Sequence, residues 1–175
     1  MFPRLSLTGK RWQIPDPQTS SLHSAASIPA MLLTKRSLTP TAGNGAPTLS
    51  HPGIFPDMKQ AVERIRKAVE NHERIAVFSD YDCDGITSAV QIARYFERRD
   101  IKAHIRLPHR EYDGYGLNAS IIDEFSAQNI DLVITADTGI SSVQEIEKAN
   151  QAGMDVIVTD HHAIPEELPS AYALL

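Results

Sequence analysis

Three aspartates stand at alternate positions in FSDYDCDGIT (78–87): Asp80, Asp82 and Asp84, with Gly85 directly after them. Carboxylates crowded this closely repel one another at neutral pH, so the stretch is unfavourable unless a cation or hydrogen-bond donors neutralise it. Further along, Asp137 opens the run DTGIS, and Asp160, His161 and His162 follow one another. Carboxylate oxygens suit Mg²⁺ and Mn²⁺, and imidazole widens the choice to transition metals. A set of acids this large suggests a pair of ions, which in two-metal sites sit about 3.5–4 Å apart and clamp the attacking and leaving oxygens of an in-line displacement. Phosphate ester hydrolysis is the natural chemistry.

The elements needed to bring these groups together can be read around them. RIAVFS, DLVITA and DVIVTD are short apolar runs that end at Asp80, Asp137 and Asp160, and KAHIRLP is a fourth such run. Helical patterns lie between them at about 86–98, 118–128 and 142–151. Ahead of the first strand, Asp57 is placed to cap MKQAVERIRKAVEN, where Met58, Val62, Ile65 and Val69 recur at helical spacing. Strands alternating with helices predict an α/β fold, a parallel sheet with helices on both faces, and near-continuous apolar strands suit that burial. In such sheets the loops leaving the carboxyl ends of the strands converge on one crevice, so the acids and histidines are expected to meet there.

Three other readings of the same residues fail. A calcium loop of the EF-hand kind needs a bidentate Glu six residues after the glycine and a helix on either side; Gln91 stands at that position and a strand enters the loop. DTG at 137–139 suits an aspartic protease, but that fold is all-β and needs the motif twice. DCDGIT resembles the nucleophile loop of haloacid-dehalogenase-like phosphatases, yet Ile86 replaces its threonine, and Asp160, His161 and His162 go unexplained. Cys83, the single cysteine, is expected to point towards the core as a small apolar residue.

Taken in order, VFSDYDCDGITSA, GYGLN, LVITADTGISS and VIVTDHH resemble motifs I to III of the DHH phosphoesterases, and most of all the RecJ-type single-strand-specific exonucleases. The resemblance covers roughly 55–175, and RWQIPDP and IPAMLLTKRSL are similar to the lead-in of that family. It implies two Mn²⁺ or Mg²⁺ ions: Asp82 and Asp84 each take a different ion, Asp137 bridges them, and His161 ligates the second. Asp80 is a further ligand or its close neighbour, Asp160 orients the loop or a ligand, and His162 faces the scissile phosphate or a ligand. His109, Arg110, Gly114 and Gly116 are candidates for substrate contact, the arginine through a phosphate and the glycines through close backbone approach.

The implied reaction is metal-assisted hydrolysis, 5′ to 3′ on single-stranded DNA in repair or recombination, with a single-strand-binding protein or helicase as partner. Other DHH activities, on oligonucleotides, cyclic dinucleotides or pyrophosphate, are alternatives, as is a non-catalytic RecJ-like replication scaffold. Set against the family pattern, a fourth metal motif and the DHHA1 domain would lie beyond Leu175, so the resemblance implies a domain truncated before them and weak activity of this stretch alone.

The 175 residues carry a net charge of -5, placed unevenly: five Lys/Arg and one acid precede Asp57, and twelve and twenty-one lie from Asp57 onward. Residues 1–56 form a lead-in and linker rich in Ser, Thr, Pro and Ala, with a helix expected within 27–38 and a linker over 39–53; 57–175 form the phosphoesterase domain. Such a lead-in is also how an organellar transit peptide reads, but its likeness to the family's amino-terminal segment favours a cytoplasmic protein. No apolar run approaches the roughly 18 residues of a membrane helix, and no membrane partner is expected.

Overall fold

The computed structural model describes residues 51–175. The helix expected within 27–38 and most of the linker lie outside the described residues. A 3-10 turn, Pro52–Ile54, leads into α1 (Met58–Glu70), β1 (Ile75–Ser79), α2 (Cys83–Glu97), β2 (His104–Arg106), α3 (Ala119–Ala127), β3 (Leu132–Ala136), α4 (Val143–Gln151), β4 (Asp155–Thr159) and β5 (Ala173–Leu174). Every strand pairing is parallel, in the order β2-β1-β3-β4-β5. No helix of the described residues is long and apolar enough to cross a membrane.

Alternation along the strands sorts side chains between two cores. Ala76, Phe78, Val133, Val156 and Val158 pack with Ile121, Ile122 and Phe125 of α3 and Ile146 of α4. Ile75, Leu132, Ile134 and Ile157 face the other way, against Ala61 and Ala68 of α1 and Phe96 of α2. Helices on both faces are therefore what the sequence predicts. Fully burying a side chain such as Phe125 stabilises the fold by about 1.5–3 kcal/mol.

Several details differ from the sequence reading. Helix α1 buries Ala61, Arg64 and Ala68, while Val62 is exposed and Ile65 and Val69 are half-buried. The stripe is rotated because Arg64, 5% exposed, reaches across to Asp155 (Nε to Oδ2, 2.5 Å) and Glu73 (2.7 Å). Asp57 stands at the cap position of α1 but makes no capping bond; its carboxylate accepts the Leu174 N–H at 3.0 Å and so ties α1 to β5. Strand β2 is shorter than the expected run, and β5 was not expected. Helix α2 starts at Cys83 rather than near Ile86, because Asp82 is itself the cap, its Oδ1 accepting the Gly85 N–H at 3.0 Å. Cys83 is consequently exposed: in the first turn the buried face belongs to Gly85, and the cysteine points outward.

Candidate metal centre

Register decides which residues meet. Ser79 pairs with Ala136 and Ala136 with Thr159, so the next residue of each strand, Asp80, Asp137 and Asp160, stands in one row along the carboxyl edge of the sheet. The chain leaves β1 towards β2 on one side and returns to β3 on the other, and a crevice forms where strand order reverses in this way.

Gly85 fixes the first corner. A Cβ at this position would lie 2.4 Å from the Asp80 carbonyl oxygen, so only glycine lets α2 start against the end of β1. Asp80 is buried, and its Oδ1 accepts the Tyr81 N–H at 2.7 Å. The Gly85 N–H, with Asp84 beside it, holds the Asp82 carboxyl below its ordinary range. Asp84 lies in the first turn of α2, where the helix dipole favours a carboxylate.

Asp137 occupies the second corner in a left-handed conformation, φ 62°, which a non-glycine residue adopts at a cost. The turn is held from below: Thr135 Oγ1 donates to the Thr138 carbonyl at 2.7 Å, and Gly139, at φ 114°, leaves room for that hydroxyl. Both Asp137 carboxylate oxygens are buried without a hydrogen-bond partner. His161 Nε2 lies 2.9 Å from Oδ1 but not in hydrogen-bonding alignment. Burial first, then the charges of Asp84 and Asp82, push the Asp137 carboxyl above its ordinary value.

The third corner is built on Asp160. Its Oδ2 accepts the Ile140 N–H at 3.0 Å and its Oδ1 the His162 N–H at 3.1 Å, so one carboxylate ties the loop after β3 to the loop after β4. The same Oδ1 lies 2.7 Å from His162 Nδ1. Against the desolvation of a buried side chain, these donors hold Asp160 below its usual range, and Asp160 raises the His162 imidazole. With Nδ1 engaged, His162 presents Nε2, which lies 3.5 Å from the Tyr115 hydroxyl.

Two groups of ligand-type atoms result, each lying within 4.8 Å: Asp80, Asp82 and Asp137, and Asp137, His161 and His162. Asp137 belongs to both. Asp84 stands beside the second group, with Oδ2 3.6 Å from His161 Nε2. A carboxylate shared by both groups, with both oxygens buried and undonated, suits divalent cations. The adjoining cleft, about 400 Å³, is lined by Asp84, Asp137 and His161 together with the apolar Phe55, Met58 and Leu175.

His109, Arg110, Gly114 and Gly116 lie on the loop from β2 to α3. Both glycines have positive φ, 78° and 77°, which the turn requires, and a Cβ on Gly114 would meet nothing within 4 Å. Reading the sequence for charge missed Tyr81 and Tyr115, whose rings meet edge-on beside the acids; the Gly-Tyr-Gly run was the available signal.

Residues 74–175 match the family described as "DHH family, N-terminal domain". The chain belongs to the DHH family. Among its relatives, the single-stranded-DNA-specific exonuclease RecJ of Bacillus subtilis is 32% identical over 180 residues, covering 94% of this chain and 22% of the relative. Those of Dickeya dadantii and Escherichia coli are 38% and 37% identical over 119 residues, covering 66% and 67% of this chain and 20% and 21% of the relatives. The chain thus spans about a fifth of the length of the curated relatives it matches. A crystal structure of exonuclease RecJ bound to manganese superposes with a TM-score of 0.66 at 30% identity, covering 72% of this chain and 32% of that one. RecJ of Thermus thermophilus in complex with Mn²⁺ gives 0.61 at 26% identity, covering 73% and 18%. The parallel sheet described above is thus the fold of the DHH domain in these structures.

Proposed function

We propose that this domain is the metal-binding half of a phosphodiesterase that removes nucleotides from single-stranded DNA in the 5′ to 3′ direction. The observation that carries the reading is Asp137: a buried carboxylate common to both ligand groups, with neither oxygen receiving a hydrogen bond. The manganese-bound RecJ structures support the choice of ion.

In this reading Asp82 and Asp84 would each help hold one of two Mn²⁺ or Mg²⁺ ions, Asp137 would serve both, and His161 would add a ligand to the second. Asp80 adds a ligand or fixes Asp82 in place. When bound, such ions supply Lewis acidity towards a phosphodiester and towards water. The chain's own groups do the positioning. Asp160 orients the His162 ring through Nδ1 and favours its imidazolium, whose Nε2–H can donate to a phosphate oxygen, and Arg110 grips a neighbouring phosphate. No covalent nucleophile is required, and Cys83 has no part in the reaction. A single-strand-binding protein or helicase would supply the strand, in the cytoplasm.

The test is hydrolysis with Mn²⁺ of 5′-labelled single-stranded and duplex DNA, an RNA dinucleotide, a cyclic dinucleotide and pyrophosphate. It uses the chain alone and fused to the carboxyl-terminal remainder of the B. subtilis relative. Preference for the single strand, lost in Asp137→Ala, is expected. Activity that survives Asp137→Ala would sink the reading, and preference for pyrophosphate or a cyclic dinucleotide would replace its substrate.

A further inference from the structure

A chain of contacts runs outward from the acid cluster along the loop between β2 and α3. His162 Nε2 lies 3.5 Å from the Tyr115 hydroxyl, the Tyr115 and Tyr81 rings meet with centroids 6.4 Å apart, and the Arg110 guanidinium sits 5.5 Å over the Tyr81 ring. On either side of Arg110 in sequence, His109 and Tyr112 stack with centroids 4.5 Å apart and planes 33° from parallel. Tyr112 is 83% exposed, so its ring adds little to the core.

The turn beneath that ring is pinned. The Tyr112 and Asp113 N–H groups both donate to the His109 carbonyl, at 3.1 and 2.8 Å. The Asp113 carboxylate accepts the His109 N–H at 2.7 Å and meets Arg106 at 2.9 Å, and Asn118 donates to the Asp113 carbonyl at 2.9 Å. An aromatic ring displayed to solvent on an already ordered backbone loses little freedom when it binds. Arg110 stands two residues before it, across Glu111, and the rings lead back to the acid cluster. Single strands bind in this manner, with bases stacked on aromatic side chains and arginine along the backbone. The net charge of -5 leaves little general attraction for DNA, so stacking must carry more of the affinity here.

We propose that the His109–Tyr112 pair is a stacking platform for a base of single-stranded DNA, outboard of the phosphate held at the Asp137 centre, with Arg110 on the backbone between them. This rests on the phosphodiesterase reading above and adds to it the path of the strand.

The experiment places 2-aminopurine at successive positions of a 5′-phosphorylated oligothymidylate and measures its fluorescence with the 175-residue chain, Ca²⁺ replacing Mn²⁺ to prevent turnover. Quenching is expected at one or two adjacent positions, lost in Tyr112→Ala and kept in Tyr112→Phe. Affinity should fall about tenfold in Tyr112→Ala, with the salt dependence unchanged, whereas Arg110→Ala should flatten the salt dependence. An abasic site at the quenched position should weaken wild type to the level of Tyr112→Ala. Wild-type quenching and affinity in Tyr112→Ala, with Mn²⁺ titration showing an intact centre, would overturn the platform and leave the phosphodiesterase reading standing. Failure of the wild type to bind any oligonucleotide, both alone and fused to the carboxyl-terminal remainder of the B. subtilis relative, would overturn both.

Discussion

Replacing Gly85 by alanine tests whether the close approach of α2 to β1 is what assembles the acids. The added Cβ would lie 2.4 Å from the Asp80 carbonyl oxygen and 2.8 Å from its carbon. Ordinary carbon–oxygen contact begins near 3.3 Å, so the first turn of α2 must retreat by about 0.9 Å. The atom it meets is backbone at the end of a central strand and cannot swing aside. Overpacking of this kind costs about 1–3 kcal/mol, and the better helix propensity of alanine returns about 1 kcal/mol. A net loss of up to about 2 kcal/mol should lower the melting temperature by up to about 6 °C. The same retreat carries Asp82 and Asp84 away from Asp137, which follows a different strand, so Mn²⁺ affinity should fall by at least about tenfold, the scale of effect seen when ligand positioning is lost. Thermal melts of the metal-free protein and calorimetric titration with Mn²⁺ read the two effects separately, and Val90→Ala, at an exposed site of the same helix, serves as the control. A Gly85→Ala protein that melts within a degree of wild type and binds Mn²⁺ equally well would refute the reasoning.

Asp137→Asn should abolish the rise in melting temperature with Mn²⁺ yet stabilise the metal-free protein at neutral pH, by about 3 °C if about 1 kcal/mol of unfavourable burial is relieved. That advantage should shrink on acidification: the folded-state pKa of Asp137 is raised above its ordinary 3.8, so the wild type is favoured below that value and loses the contribution as pH rises through the folded pKa. Melts of the two proteins from pH 4 to pH 8 check the sign. In Asp160→Asn the His162 titration, followed by NMR, should move down towards its ordinary value of 6.5. Arg64→Ala should cost about 3 kcal/mol in chemical denaturation, because Asp155 and Glu73 lose their partner, while Arg64→Met should cost less.

Strand ends with acids after them were legible because apolar runs broken by Asp are rare elsewhere in the chain, and parallel topology then left only one edge for those acids. The start of α2 was not legible, since Asp82, Asp84 and Gly85 are residues of turns as much as of helix caps; only their hydrogen bonds decide between the two. Arg64 falls on the helical stripe yet reads as a surface residue, because nothing local reveals that Asp155, ninety-one positions away, will face it. β5 spans two residues and is held through partners on β4, with the Leu175 N–H reaching the Val158 carbonyl at 2.9 Å, so its own sequence carries no strand pattern. Tyr112 was passed over for a similar reason: one aromatic in a polar loop has no signal until its stack on His109 is seen.

The undonated Asp137 carboxylate also bears on how long the molecule survives. A group that only a cation satisfies makes metal a ligand of the folded state alone, and such a ligand depresses the population of opened chains in proportion to its free concentration over its dissociation constant. Where cleavage follows that open population, proteolytic half-life becomes a readout of manganese supply. Starved of the ion, the protein should be cleared faster.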